Sequence, residues 1–209
     1  MQYPRQIPEL VTRAKLNAQA LGFDLRPEGN RAGAIVAAGP SCCIDEAGSF
    51  LMTLAATIKQ GLIGEIGTGA GVGAAWIVSG MSQGAHFNTV EIDPRFAKAS
   101  TELFDQYNNI DVLCEDWREG FAAKGPYDLV FADGGGVGGA GSSEWLKMAG
   151  LLNPGGIMVI DDLTPERLWP DELQGKPDHK REFAFNSGYF IADEIAVRDD
   201  ISMLLLVRR

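Results

Sequence analysis

Glycine recurs at short intervals in GLIGEIGTGAGVGAAW, residues 61–76. An apolar run leads into glycines at every second or third position, and helix-forming residues follow them. A loop between the carboxyl end of a strand and the next helix lies where open α/β sheets bind ligands. Glycines there let backbone amides approach a ligand, and the amino terminus of the helix adds partial positive charge. The stretch therefore predicts a site for a nucleotide-like cofactor.

Outward from this loop, short apolar segments alternate with amphipathic ones. We predict five strands near residues 62–66, 87–92, 110–114, 127–132 and 157–160, then two longer strands joined at Asp199–Asp200. Short apolar strands that alternate with helices are typical of a parallel sheet covered on both faces. A turn of about two residues can only join an antiparallel pair. The predicted fold class is α/β, a three-layer Rossmann-like sandwich with a mostly parallel seven-stranded sheet and an antiparallel last strand.

The chain divides into a short amino-terminal part and one larger domain. Residues 1–43 predict a helix and a connector rich in glycine and proline, and residues 44–209 carry the alternating pattern. A length of 209 residues suits one domain with a modest appendage. The first part could serve as a lid or as a contact in a homodimer, and the sequence leaves both open.

Charge and cysteine content exclude several classes of function. The net charge of -10 argues against a general nucleic-acid binder, which needs a surface of lysine and arginine. No apolar run approaches the length of a membrane span, and the first residues lack a secretory-signal profile. Three cysteines, two of them adjacent (Cys42 and Cys43), make a poor disulfide framework. We expect a cytoplasmic protein without membrane or nucleic-acid partners.

Two acidic residues near the glycines narrow the kind of cofactor. Glu91 ends the second strand opposite the loop, where a carboxylate can accept hydrogen bonds from both hydroxyls of a ribose. Glu65 interrupts the first strand two positions before Gly67. Because an unpaired buried charge is costly, Glu65 needs a partner, and an amino-acid-like cofactor with an ammonium group would supply one.

Five motifs in order carry a family resemblance. EIGTGAGVG, VEIDP, EDW, YDLVFAD and NPGGIMVIDD resemble the motif series of class I S-adenosylmethionine-dependent methyltransferases. The series is most similar to that of the small O-methyltransferases related to catechol and caffeoyl-coenzyme A O-methyltransferases. The helix DEAGSFL and the closing strand pair also match, so the likeness spans residues 44–209, which the resemblance makes the methyltransferase domain.

The resemblance implies a cofactor and the residues that bind it. S-adenosyl-L-methionine would lie with its methionine part on the glycine loop and its ribose on Glu91. Asp116 would lie beside the adenine amino group, flanked by Trp117, and Asp133 within reach of the methyl group as the catalytic candidate. The complete set of cofactor-binding candidates is Glu65, Gly67, Thr68, Gly69, Gly71, Gly73, Glu91, Asp116, Trp117 and Asp133.

In these relatives the acid that ends the fourth strand also binds a divalent cation, together with an Asp-Asn pair after the fifth. The metal candidates here are Asp133, Asp161 and Asp162, an oxygen set that suits Mg²⁺. The sequence departs from the pattern twice: Asp162 replaces the asparagine, and Gly136 stands where the relatives carry a basic lysine. A polar strand end without metal is an equally good interpretation of Asp161–Asp162. We expect Thr164 to cap a helix that starts at Pro165.

Three functions from different classes remain open at this point. The first is S-adenosylmethionine-dependent O-methyl transfer to a small-molecule acceptor. The second is an NAD-linked oxidoreductase, because Gly69, Gly71 and Ala74 satisfy the pattern G-x-G-x-x-A. The third is a non-catalytic S-adenosylmethionine-binding domain, a function that would account for the absence of the basic lysine.

Overall fold

The computed structural model describes residues 5–25, 41–133 and 142–209, the side chains of residues 142, 143 and 162 excepted. Most of the predicted connector (residues 26–40) and the glycine-rich stretch 134–141, Gly136 included, lie outside these residues. The helices are α1 (Glu9–Ala20), α2 (Asp45–Ala55), α3 (Val72–Gly80), α4 (Pro94–Phe104), α5 (Gly120–Lys124), α6 (Ser142–Gly150) and α7 (His179–Arg181). The strands are β1 (Gln60–Ile66), β2 (Gly84–Glu91), β3 (Ile110–Cys114), β4 (Tyr127–Ala132), β5 (Leu152–Leu163), β6 (Phe190–Arg198) and β7 (Ile201–Arg208).

The described strands form one seven-stranded sheet in the order β3-β2-β1-β4-β5-β7-β6. Neighbours from β3 to β5 pair in parallel, whereas β7 pairs antiparallel with both β5 and β6. The last strand in the chain is therefore the antiparallel one, as predicted, and it lies between β5 and β6. The order reverses between β1 and β4, which places a ligand crevice at the carboxyl ends of the central strands.

Alternating side chains of the central strands supply two cores, one on each face of the sheet. On β4, Leu129 and Phe131 point into the first core, while Val130 points into the second. Helices α1 to α4 cover the first core, and helices α5 and α6 cover the second. Helices on both faces of one sheet make three layers, which confirms the predicted sandwich.

Helix α1 belongs to the first core. Leu10, Val11, Ala14 and Ala18 are buried and recur with the 3.6-residue spacing of one helical face. That face packs in the same cluster as the apolar residues of α3. Residues 5–25 thus rest on the larger domain, and a role for residues 1–43 as a lid or dimer contact stays a prediction.

The expectation for Thr164 is wrong. The segment after β5 is a single 3-10 turn, Glu166–Leu168, whose preceding residue is Pro165, and no side chain caps it. The carbonyl oxygen of Thr164 instead accepts hydrogen bonds from Trp169 and Arg181.

Candidate functional site

The glycine loop that follows β1 turns through backbone conformations that favour glycine. Gly67, Gly69 and Gly71 have φ angles of 92°, 51° and 83°. The amides of Gly67 and Thr68 donate to the carbonyl of Val90 at 2.9 and 3.2 Å, which holds the loop against the end of β2. Gly71 then begins α3 without a side-chain cap. The loop presents backbone and the amino terminus of a helix to the crevice, as the sequence predicts.

Gly73 is required by a close approach rather than by its backbone angle. A Cβ atom on Gly73 would lie 2.7 Å from Oε1 of Glu65 and 3.0 Å from Cε1 of Phe131. Both atoms belong to side chains of buried strands, so they have little room to move. The first turn of α3 can therefore rest on β1 and β4 only if this position has no side chain.

Glu91 links the glycine loop to the start of α4. One carboxylate oxygen accepts from the amide of Gly69 at 2.8 Å, and the other accepts from the amide of Asp93 at 2.9 Å. Asp93 in turn caps α4 by accepting from the amide of Arg95. The carboxylate is half-buried, held in one orientation, and open to the crevice.

Glu65 lies beneath the loop, with 1 % of its surface exposed. Its Oε2 accepts a hydrogen bond from the hydroxyl of Thr89 at 2.6 Å, and Thr89 also shares a hydrogen bond with Thr68. Burial raises the pKa of Glu65 to about 8, and the nearby charge of Glu91 adds to the rise, whereas the Thr89 bond opposes it. The carboxyl group therefore carries a proton at neutral pH when no cationic ligand is present.

A cleft of about 430 Å³ opens at the carboxyl ends of β1, β2 and β4. Most of the predicted cofactor residues line it: Gly67, Thr68, Gly69, Gly73, Glu91, Asp116, Trp117 and Asp133. Glu65 and Gly71 lie behind this lining, where Glu65 supports the loop from below and Gly71 starts the helix. The structure thus brings residues from four separate motifs to one cavity.

One end of the cleft is formed by the EDW motif. Arg118 bonds to both carboxylate oxygens of Asp116 at 3.0 and 2.9 Å and reaches Glu144 at 2.9 Å. The backbone amide of Arg118 is the main cause that lowers the pKa of Asp116. The indole nitrogen of Trp117 is buried and has no hydrogen-bond partner among the described residues. A buried N–H without a partner suits a ligand that brings an acceptor.

Sequence reasoning missed the amino-terminal wall of the cleft. Phe23, Ser41, Cys42 and Cys43 line the cavity, and the Phe23 ring sits 3.1 Å from where a Cβ of Gly69 would be. Burial raises the pKa of Cys42 to about 12, with the Asp133 charge as the second cause, so this thiol stays protonated beside that acid. Only contacts distant in sequence place these residues here, and no motif carries that signal.

Three more cleft residues were missed beside the predicted acids. Ile92, which is 71 % exposed, follows Glu91 and lines the cavity with Phe96 and Glu115. Of these three, Ile92 could have been found from the sequence, because it directly follows the predicted ribose acid in the motif VEIDP.

The predicted metal residues are only partly described. Asp133 lines the cleft, and Asp161 is 3 % exposed at the end of the neighbouring strand. The side chain of Asp162 lies outside the described residues. Within the described part of the chain, no group of three or more histidine, cysteine or acidic side chains is placed to hold a metal ion. In the same part, no helix is long and apolar enough to cross a membrane.

Comparison with known proteins places the domain. Residues 65–163 match a family described as "Methyltransferase domain". A Mycobacterium avium (strain 104) protein, provisionally named an O-methyltransferase, is 29 % identical over 117 residues, 53 % of this chain and 52 % of that protein. A protein-L-isoaspartate O-methyltransferase of Ignicoccus hospitalis is 32 % identical over 112 residues, 52 % of this chain and 51 % of that protein. The chain therefore aligns with about half the length of these curated relatives.

Solved structures share the fold at low sequence identity. An O-methyltransferase from Bacillus cereus in complex with SAH (S-adenosylhomocysteine) superposes with a TM-score of 0.70 at 17 % identity, covering 98 % of this chain and 92 % of that one. A methyltransferase from Geobacter sulfurreducens gives a TM-score of 0.68 at 15 % identity, covering 98 % and 90 %. These matches show that the chain shares the fold of these methyltransferases, and residues 65–163 match a methyltransferase-domain family.

Proposed function

We propose that the protein transfers a methyl group from S-adenosyl-L-methionine to a hydroxyl oxygen of a small molecule. The observation that carries the proposal is the charge of the cleft. Among the described residues, four carboxylates line it, from Glu91, Glu115, Asp116 and Asp133. The one cation among these described lining residues is Arg118, which is already bonded to Asp116.

An acidic cleft discriminates between the two cofactor classes that a glycine loop suits. S-adenosyl-L-methionine carries positive charge on its sulfonium and ammonium groups, whereas NAD brings a negatively charged pyrophosphate. Carboxylates that are partly removed from water favour the first and repel the second. The pattern G-x-G-x-x-A at Gly69, Gly71 and Ala74 suits either cofactor, whereas the negative charge of the cleft suits only the first. An NAD-linked oxidoreductase is therefore not favoured.

The geometry supports a role for each end of the cleft. Glu91, fixed by two backbone amides, would accept hydrogen bonds from the ribose hydroxyls. The loop from Gly67 to Gly73 would hold the methionine part, with Glu65 beneath it as the acid that can lose its proton to meet the ammonium group. Asp116 would accept a hydrogen bond from the adenine amino group, and the unpartnered N–H of Trp117 would donate one to the adenine end of the ligand.

Methyl transfer at the Asp133 end of the cleft requires alignment of the reacting atoms more than covalent catalysis by the protein. The bound cofactor would supply a methyl group activated by its sulfonium sulfur. The protein has to hold the acceptor oxygen in line with that methyl group and keep water away. Asp133 would orient the acceptor hydroxyl, because its amide is bonded to the carbonyl of Ile66 at 2.9 Å and its side chain faces the cleft beside Cys42.

A role for Mg²⁺ at Asp133, Asp161 and Asp162 stays a prediction. Asp133 directly follows β4 and Asp161 lies near the end of the neighbouring β5, but the described side chains do not complete a metal-binding group. Neither the chemistry above nor any role assigned to a side chain depends on the metal. A chelator that leaves methyl transfer unchanged would remove the metal from the account.

Other properties of the whole protein are also proposals. The small-molecule acceptor rests on the sequence resemblance and on relatives matched over half their length. The homodimer and the cytoplasmic location rest on the sequence pattern alone. Light scattering of the purified chain tests the dimer. A screen of phenolic and aliphatic hydroxyl compounds with S-adenosyl-L-methionine, followed by mass spectrometry, tests the acceptor class. If the protein binds the cofactor but transfers methyl to no compound, the result would instead support a non-catalytic domain.

Calorimetric titration with S-adenosylhomocysteine tests the proposed cofactor site. We expect Glu91→Gln to weaken binding at least about tenfold, because two charge-assisted hydrogen bonds to the ribose become weaker neutral ones. The matched control is Glu102→Gln, an exposed acid on α4 whose replacement leaves the cleft intact. Equal affinity of wild type and Glu91→Gln would refute the ribose assignment.

A further inference from the structure

We propose that Lys180 is the cation that binds the acceptor oxygen on the far side of the cofactor cleft. The inference deepens the proposed function and rests on it. It starts from an electrostatic problem: a hydroxyl attacks a methyl group best as its oxyanion, yet the acceptor end of this cleft is acidic. An oxyanion beside Asp133 and Asp161 would be repelled unless a positive charge lies close to it.

Strand register places Asp161 at the same edge as Asp133. Ala132 of β4 pairs with Ile160 of β5 in parallel, so the residues that follow them, Asp133 and Asp161, emerge side by side. Asp133 lines the cleft. The carboxyl end of β5 therefore lies next to Asp133, although Asp161 is not among the described residues that line the cavity itself.

Lys180 brings its amine to the carboxyl end of β5 from a distant part of the chain. Its Nζ donates a hydrogen bond to the backbone carbonyl of Asp161 at 2.8 Å, and the side chain is half-buried. The next residue, Arg181, anchors α7 by bonding to the carbonyl of Thr164 at 3.0 Å and to both carboxylate oxygens of Glu194 at 2.7 and 2.8 Å. The amine is thus positioned by a buried anchor rather than by chance contact.

The other described cations near the cleft have their charge neutralised. Arg118 is paired with Asp116 and Glu144, Lys147 with Glu144, and Lys15 with Asp45. Arg181 is shared among Glu194, Asp178 and Glu166. Lys180 bonds to a neutral carbonyl, and its ammonium group keeps two more N–H donors for a ligand oxygen.

The step that this arrangement serves balances without a further reactant. The acceptor hydroxyl releases its proton to water, and Lys180 stays protonated throughout and stabilises the oxyanion. The oxygen then forms a bond to the methyl carbon as the carbon–sulfur bond breaks, and the electron pair stays on sulfur, which leaves S-adenosylhomocysteine neutral. The acceptor class that fits is an acidic hydroxyl, such as that of a phenol.

The test uses 4-nitrocatechol, whose ionisation is visible by absorbance, with protein saturated by S-adenosylhomocysteine and with EDTA present. We expect Lys180→Met to weaken binding of the ionised probe about tenfold and to raise its bound pKa by about one unit. Lys180→Arg keeps the charge and should retain most of the binding. Lys147→Met is the matched control and should behave as wild type.

Lys180→Gln separates charge from tethering. Glutamine can still donate a hydrogen bond to the Asp161 carbonyl but carries no charge, so we expect it to behave as Lys180→Met does. Wild-type behaviour of the glutamine or methionine variant, or a probe that does not bind the wild-type complex, would overturn the role of Lys180. Calorimetry with S-adenosylhomocysteine separates failure of the Lys180 role from failure of the proposed function. If the wild-type protein binds this ligand, only the role of Lys180 is refuted. If the wild-type protein does not bind it, the proposed function is refuted as well.

Discussion

Glu65 is the residue at which the prediction from the sequence can be compared most directly with the contacts in the structure. Its position two residues before Gly67 predicts a carboxylate next to the ligand that needs a partner. The structure supplies Thr89 as that partner and buries the acid beneath the loop. The sequence could not predict Thr89, because that contact depends on the register between β1 and β2, which brings Glu65 opposite Thr89. In the proposed cofactor site, the ligand ammonium group would therefore compete with a proton on Glu65 rather than fill an empty site.

Glu65→Gln tests this interpretation through the pH dependence of stability. The pKa of about 8 in the folded state is above the ordinary value, so the folded state keeps a proton that the unfolded chain releases as pH rises. Stability contributed by that proton is present at low pH and lost toward pH 8. We expect glutamine, which is always neutral, to raise the apoprotein melting temperature by roughly 3–10 °C near pH 9 and very little near pH 4.

Thermal unfolding by circular dichroism, with Glu102→Gln as the exposed control, measures the effect. The same variant should bind S-adenosylhomocysteine less well at every pH, because it cannot become the anion that pairs with the ammonium group. A stability gain of equal size at both pH values would show that Glu65 does not titrate as the structure implies.

Among the secondary-structure elements, apolar runs in the sequence predict the strands well, whereas polar segments predict helices and strands poorly. The bounds of β3 and β4 agree with the sequence pattern, because their apolar residues stop abruptly at each end. Strand β5 was predicted as residues 157–160 but runs from Leu152 to Leu163, since Pro154 and Gly155 in its first half are typical of a turn. The short helix α7 was missed because its three residues, HKR, show no apolar face.

The packing of α3 on β1 and β4 makes a testable element-level prediction at Gly73. An alanine Cβ would lie 2.7 Å from Glu65 and 3.0 Å from Phe131, so the helix must shift away from the sheet. We expect Gly73→Ala to lower the free energy of unfolding by about 1–3 kcal/mol. It should also weaken S-adenosylhomocysteine binding at least about tenfold, because the loop amides move with the helix.

Gly150→Ala is the matched control, since a Cβ there meets no atom within 4 Å and the residue lies at the end of a helix. Denaturant unfolding and calorimetry on both variants measure the two effects. If Gly73→Ala is as stable as wild type and binds the ligand equally, the close approach of α3 to the sheet is not required for the site.

At the scale of the whole molecule, charge distribution says more than net charge. The value of -10 argues against a general nucleic-acid surface, but only the fold shows that four carboxylates of the described residues meet in one cleft. The order of motifs predicts the sheet and brings eight of the ten cofactor candidates to one cleft, because the carboxyl ends of parallel strands share an edge. The amino-terminal wall and Lys180 could not be predicted, because tertiary contacts alone bring residues 23, 41–43 and 180 to that edge.

The most direct test of the account is a thermal-shift comparison of S-adenosylhomocysteine with NAD on the wild-type protein. A ligand stabilises the state that it binds, so its effect on the melting temperature reports occupancy of the cleft. We expect S-adenosylhomocysteine to raise the melting temperature, Glu91→Gln to reduce that rise, and NAD to cause none. A rise with NAD alone would contradict the assignment of the cleft to a sulfonium cofactor.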